Sequence, residues 1–363
     1  MNLEHLPAPP QKTYRIGAVG AGFIMRDVQL VAYQKAGFEV AGITAIPTSE
    51  AHKAADLRGI PRVYENLNEM LADTSIEIVD IAVPPHFQLD IIRLAANCRH
   101  IRGILAQKPL AVTYQQAVET VRVCEHAGMR LAVNQNMRYD QSIRALKTLL
   151  SRGDLGEPVL ATIEMRAIPH WQTWLQDYDR LTLLNMSIHH LDCFRFLFGD
   201  PASIFVSAAR DPRTAFEHRD GIALYILEYG SGFRATAWDD VWAGPAREGA
   251  AADLYIKWRV EGTDGMAQGT IGWPEYPNAV PSTIQFTSKN AAQSMSAPQW
   301  KEVWFPDAFS GPMGELMDSI TMNREPLIGG ADNLKTMALV EAGYRSLDEH
   351  RPVAVQEILG ERS

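Results

Sequence analysis

Tyr14-Arg15-Ile16-Gly17-Ala18-Val19-Gly20-Ala21-Gly22-Phe23-Ile24-Met25 is the stretch whose reading decides the fold. Ile16–Val19 is short, small and apolar, as suits a strand buried on both faces of a parallel sheet. Gly20 and Gly22 then form a G-x-G turn, and Asp27, Leu30, Val31 and Tyr33 continue with helical spacing. In a dinucleotide-binding βαβ unit the first glycine permits the sharp turn, and the second lets the backbone approach a pyrophosphate. That charge sits against the free N–H groups of the helix start, here at Phe23 and Ile24. Met25 stands where the fingerprint carries its third Gly or Ala. A glycine turn inside an ordinary βαβ unit accounts for the same residues, so the stretch alone leaves both readings open.

The next strand, Glu39–Thr44, ends about twenty residues past the glycines, where an Asp or Glu would bind the ribose hydroxyls of NAD. This chain has Thr44-Ala45-Ile46-Pro47-Thr48-Ser49 there, and no carboxylate before Glu50. Without the acid there is no repulsion against a 2′-phosphate, and Thr48, Ser49, His52 and Lys53 are donors to one. The expected cofactor is therefore NAD or NADP, with Thr44 and Ala45 against it.

Outward from this unit the pattern stays α/β. Ile76–Val83 is an apolar strand ending in a Pro84-Pro85-His86-Phe87 loop, where a parallel sheet places ligand contacts. Gln88–Asn97 has helical spacing, Ile101–Ala106 is a strand ending in Gln107-Lys108-Pro109, and Tyr114–Ala127 is a helix. Leu131–Val133 leads into Asn134-Gln135-Asn136-Met137-Arg138-Tyr139. Strand–helix alternation predicts a doubly wound parallel sheet over 1–134. From 135 to 363 alternating strands dominate: Val159–Arg166, Ile204–Ala209, Ile222–Tyr229, Phe233–Val241, Tyr255–Gly262 and Thr283–Thr287. Gly and Asp turns join them, which predicts an antiparallel sheet. Helices are expected over Leu181–Phe198, Met313–Met322 and Asp332–Glu349.

Bulk properties narrow the function. A net charge of −9 over 363 residues argues against nucleic acid as a partner, because phosphate neutralisation needs a concentrated basic face. No apolar run approaches the ~18 residues of a membrane span. Met1–Gln11 lacks the apolar core of a secretory signal. Cys98, Cys124 and Cys193 are widely spaced, which fits thiols in a reducing cytoplasm better than disulfides or zinc.

The ordered set Gly20-x-Gly22, Val83-Pro84-Pro85-His86, Lys108-Pro109, Asn134-Gln135-Asn136-x-Arg138 and Ile188-His189-His190-Leu191-Asp192 resembles the glucose–fructose oxidoreductase / inositol dehydrogenase family (Gfo/Idh/MocA). The resemblance spans nearly the whole chain. It implies an N-terminal Rossmann domain and a C-terminal α+β domain whose large antiparallel sheet is open-faced. It also implies NAD(P)-dependent hydride transfer at a secondary alcohol carbon of a sugar, glycoside or inositol-like substrate, and homodimers or homotetramers that cover the open face. Lys108 matches the family's catalytic lysine and His189 its catalytic histidine; Pro84, Pro85, His86, Lys108 and Gln135 fall on its cofactor side. Gln107 replaces the usual Glu before the lysine. Asn185, four residues before His189, replaces a usual Asp, so it orients a hydroxyl but cannot hold a proton.

Lys108 is thus expected to stabilise charge on the reacting oxygen, and His189 to act as general base. Arg138 and Tyr139 are either substrate contacts or hinge packing. His170, Trp171 and Trp174 suit stacking on a sugar's apolar face, or else a core-packing loop. The adjacent His189 and His190 diverge on a helix, so no metal is expected. Trp238, Asp239, Asp240 and Trp242 read as sheet surface or a subunit contact. Two competing functions stay open: an NAD-dependent glycosidase or lyase acting through transient C3 oxidation, and a non-catalytic dinucleotide sensor.

Overall fold

The computed structural model describes residues 3–167, 173–241, 254–272, 278, 280–289 and 295–360. The chain divides into two compact units, one formed by Pro7–Tyr139 with Phe305–Met337, the other by Met1–Leu6, Asp140–Trp304 and Ala338–Ser363.

In the first unit strands and helices alternate, with two helices between the second and third strands. They are β1 (Ile16–Val19), α1 (Leu30–Ala36), β2 (Val40–Thr44), α2 (Thr48–Arg58), α3 (Leu67–Ala72), β3 (Ile78–Ile81), α4 (Pro85–Ala95), β4 (Gly103–Ala106), α5 (Tyr114–Ala127) and β5 (Arg130–Val133). The five strands run parallel in the order β2-β1-β3-β4-β5. Ile16, Ile43, Ile78, Val79, Ile81, Ile104 and Leu105 are fully buried, so both faces are covered, as the apolar runs predict. Each such Ile or Leu contributes about 1.5–3 kcal/mol by leaving water. Chain order reverses between β1 and β3, and that switch point is where open α/β sheets bind ligands. A π-helical turn, Ile24–Gln29, leads from the glycines into α1. The Pro84–Phe87 loop predicted from sequence is shorter than expected, because α4 begins at Pro85. Proline's fixed φ and missing N–H suit a first helical position.

The second unit opens with α6 (Gln141–Ser151) and β6 (Pro158–Ala167), then α7 (Ile188–Phe198) behind a π-helical turn, Leu183–Ser187. β7 (Ser203–Ala209), β8 (Ile222–Glu228), β9 (Arg234–Val241), β10 (Tyr255–Gly262), β11 (Gly265–Thr270) and β12 (Thr283–Ser288) follow. With β6 and a short closing strand they form an eight-stranded sheet. It is antiparallel except where β6 lies parallel to β9, because the chain leaves β6 through α7 and returns beside it. One face is buried through Ala161, Ile163, Met165, Tyr225, Ala237 and Trp258. The other carries Phe205, Leu224 and Ile226, exposed by 37%, 50% and 44%, on neighbouring strands where Phe205 faces Ile226 and Leu224 faces Trp238. The alternation is that of a sheet with one core face and one open face.

The remaining elements are α8 (Ser310–Thr321), α9 (Gly330–Glu349), β13 (Val353–Ala354) and α10 (Val355–Leu359). α8 belongs to the parallel-sheet unit, and the Ile328 carbonyl there accepts from Val133 N–H at 2.8 Å, closing the β5 edge. No helix among the described residues is long and apolar enough to cross a membrane.

Candidate active site

The register of the parallel sheet lines up the motif residues. Val19 pairs with Thr44 and Ile81, Ile81 with Ala106, and Ala106 with Val133. The residues that follow these partners, Gly20, Ala45, Ala82, Gln107 and Asn134, therefore share the carboxyl edge of one sheet. Gly20 has φ +101°, and a Cβ there would lie 2.4 Å from the Ala82 carbonyl oxygen. Its N–H donates to the Thr44 carbonyl at 2.8 Å. Gly22 has no atom within 4 Å of where a Cβ would stand, so the backbone is open to an approaching group. Phe23 and Ile24 are half-buried beside it. Met25, the departure from the fingerprint, is fully buried in the π-helical turn that follows the glycines.

At the β2 tip Thr44 and Ala45 are buried and Ile46 is fully exposed. Of the donors read from sequence for a 2′-phosphate, Thr48 donates to the Glu65 carbonyl at 3.4 Å, and Lys53 pairs with Glu50 at 2.6 Å. Pro84 and Pro85 cap and open α4, and His86 is exposed with its ring 3.9 Å from that of Phe87.

Lys108 follows β4 and is half-buried; burial lowers its ammonium to about 7. Near neutrality it is therefore poised between donor and acceptor of a proton, as an acid–base group requires. Beyond β5, Asn134 and Gln135 are each 1% exposed, and their side-chain amides have no hydrogen-bond partner; the same is true of Gln107 Nε2. Buried amides in this condition are uncommon and call for a ligand or water. The resemblance puts Gln135 on the cofactor side; Asn134, quoted in the same motif, was given no role from sequence. An open glycine turn, a tight one and unsatisfied amides along one edge fit a dinucleotide carrying a carboxamide. Arg138 is buried and donates to the Leu327 carbonyl at 3.1 Å and to Asp332 at 2.7 Å. Tyr139, also buried, closes the same 3₁₀ turn, Asn136–Tyr139.

In the second unit His189 lies in the first turn of α7, 6% exposed, edge-on to Trp304 at 6.0 Å between centroids. Asn185 is half-buried in the preceding π-helical turn, not on one regular α-helix with His189 as the sequence predicts. His190 is fully buried, with Nδ1 2.9 Å from Asp239. Ser187 and Tyr225 both donate to the other oxygen of that carboxylate. Asp239 is thus no surface residue: it points from β9 into the core and ties down the helix carrying His189. Trp174, in the 3₁₀ turn Thr173–Asp177, is half-buried and meets Tyr178 edge-on. His170, Trp171 and Trp242 lie outside the described residues. Among the described residues no group of His, Cys, Asp and Glu is arranged to hold a metal.

A parallel sheet with a glycine cradle at its switch point, and a lysine of lowered pKa on the same edge, is the arrangement of a dinucleotide-binding site. Comparison with known proteins gives the family. Residues 14–135 match the oxidoreductase family with an NAD-binding Rossmann fold, and residues 147–355 match its C-terminal α/β domain. The chain belongs to this Gfo/Idh/MocA oxidoreductase family; it is an enzyme, and its Rossmann domain is NAD-binding. It is 27% identical to a D-apiose dehydrogenase of Paraburkholderia graminis over 96% of this chain and 92% of that one. A second D-apiose dehydrogenase, of Rhizobium rhizogenes, is 29% identical over 94% and 97%. Among solved structures, an oxidoreductase from Agrobacterium radiobacter in complex with NAD+, L-tartaric acid and magnesium superposes with a TM-score of 0.79 at 26% identity. That match covers 96% of this chain and all of the other.

Proposed function

We propose that this enzyme is a sugar or cyclitol dehydrogenase, moving hydride between NAD and a secondary alcohol carbon of a sugar, glycoside or inositol-like substrate. The observation that carries the reading is Lys108, held at a strand tip in line with unsatisfied buried amides and with its pKa brought to about 7. D-Apiose, the sugar in the names of two full-length relatives, supports the substrate class. In this reading residues 1–134 hold the dinucleotide and residues 135–363 bind substrate and assemble the oligomer.

Gly20, Gly22, Phe23 and Ile24 hold the pyrophosphate, and Thr44 and Ala45 the adenosine ribose. Pro84, Pro85, His86, Lys108 and Gln135 line the nicotinamide side. NAD, once bound, supplies the hydride acceptor. Lys108 Nζ hydrogen-bonds the substrate hydroxyl and stabilises the negative charge that grows on its oxygen. A ring nitrogen of His189 takes the hydroxyl proton, a task suited to imidazole near neutral pH. Asn185 orients a neighbouring hydroxyl, and Arg138, His170, Trp171 and Trp174 complete substrate binding. Phe205, Leu224 and Ile226 on the open sheet face support a homodimer or homotetramer. Three free cysteines support a cytoplasmic location.

The test is absorbance at 340 nm with NAD or NADP across aldoses, inositols and glycosides, with Lys108→Met alongside. Turnover with a polyol or sugar that Lys108→Met abolishes is expected. Silence across the panel with both cofactors sinks the reading.

A further inference from the structure

Gln88 lies on α4, fully buried, and had no role in the sequence reading. Its side-chain amide is spent on one short stretch of backbone. With one of its two hydrogens shared, Nε2 donates to the Gln107 carbonyl at 2.9 Å, the Pro109 carbonyl at 2.9 Å and the Leu110 carbonyl at 3.3 Å. Oε1 accepts from Gln107 N–H at 2.7 Å. β4 ends at Ala106, so these groups lie beyond the strand ladder and need partners from elsewhere when buried. A primary amide offers donors and an acceptor together, and here both ends are used. The backbone bonds flank Lys108 on either side, while the Lys108 N–H is held by Gln107 Oε1 at 3.1 Å. One helix-borne side chain thereby pins the main chain before and after the lysine.

We propose that Gln88 is a positioning residue for Lys108, fixing the direction in which the lysine leaves the sheet edge. The proposal rests on the reading of Lys108 as catalytic. An apolar residue of similar size would fill the volume but leave one N–H and three carbonyls without Gln88. Glutamate would keep the acceptor for Gln107 N–H and turn its other oxygen toward three carbonyls. Because a misplacement of about 1 Å costs on the order of 10²-fold in rate, loosening this loop acts on kcat rather than on cofactor affinity.

The test compares Gln88→Ala, Gln88→Glu and Gln88→His with Lys108→Met in the full chain. Readouts are kcat and KM, NAD affinity by fluorescence quenching, and amide hydrogen exchange followed by mass spectrometry. The expected result is a kcat at least 30-fold lower in Gln88→Ala and Gln88→Glu, with NAD affinity within about threefold. Exchange accelerates in the 104–111 peptide and stays unchanged in β1 and β3. Gln88→His, which keeps one donor and one acceptor, recovers part of the rate. The proposal is overturned if folded Gln88 variants keep wild-type kcat while Lys108→Met is inactive. Exchange that rises equally across the whole unit also overturns it, since Gln88 would then be general packing. Full activity in Lys108→Met would instead overturn the catalytic-lysine reading, and the 104–111 exchange would still report whether Gln88 holds the loop.

Discussion

Alanine at Gly20 and alanine at Gly22 are the same chemical change two residues apart, yet they act on different properties. At Gly20 the backbone sits at φ +101°, which costs an L side chain about 1–2 kcal/mol. The new methyl would also lie 2.4 Å from the Ala82 carbonyl oxygen and 3.1 Å from its carbon. That is backbone and cannot rotate aside, so relief must strain the Ala82 N–H bond to Val19 or the Gly20 N–H bond to Thr44. Each of these is worth about 1 kcal/mol. Together the cost is about 2–4 kcal/mol, a fall in melting temperature on the order of 10 °C for a unit of this size. At Gly22 a methyl meets nothing within 4 Å and φ is not left-handed, so stability stays within about 0.5 kcal/mol. The methyl instead occupies the space a pyrophosphate must enter, and NAD affinity is expected to fall at least tenfold, about 1.4 kcal/mol. Thermal melts and fluorescence titration on the two variants decide this. Wild-type NAD affinity in Gly22→Ala, or a wild-type melt in Gly20→Ala, refutes the cradle.

Three further outcomes are expected. Lys108→Met and His189→Asn should each lower kcat by about 10²–10⁴ with NAD affinity kept within a few-fold; loss of cofactor binding in parallel would point to misfolding instead. Burial pushes the Asp80 carboxyl up from 3.8 to about 7 despite donation from Tyr33 and Gln29. The folded state then holds more protons than the unfolded state between those values, so stability falls as pH rises through that window, by at most about 4 kcal/mol. Urea unfolding at pH 5 and pH 8 measures the slope, Asp80→Asn should flatten it, and a flat wild-type curve contradicts the assignment. For the proposed homo-oligomer, Ile226→Asp on the open sheet face is expected to lower the mass in light scattering to that of a monomer while secondary structure is retained; a wild-type mass already monomeric, or one unchanged by the substitution, contradicts the proposal that this face is an interface.

Much of the candidate site was legible because its residues sit in local patterns. Gly20 and Gly22 close a strand of small apolar residues, and Lys108 follows another. His189 falls in a helix whose spacing was plain, although the π-helical turn before it was not. Residues whose role depends on a distant partner left no such trace. Asp239 reads as one of two acids near a strand end, and only its contacts with Ser187 and His190 place it in the core. Arg138 could touch substrate or pack; its bonds to Leu327 and Asp332 join positions 189 and 194 residues apart.

Periodicity and turn residues thus determined which segments become strands and helices, the parallel character of the first sheet, and the edge on which Gly20, Lys108 and Gln135 fall. These follow from the bonding and burial needs of each segment and its neighbours, which are written in the chain at short range. Tertiary structure alone decided that β6 runs parallel to β9, that Phe305–Met337 returns to the parallel-sheet unit, and that Gln88 holds the backbone around Lys108. In each case the partners are brought together by burial across long stretches of chain, and a buried polar group takes whatever partner that packing delivers.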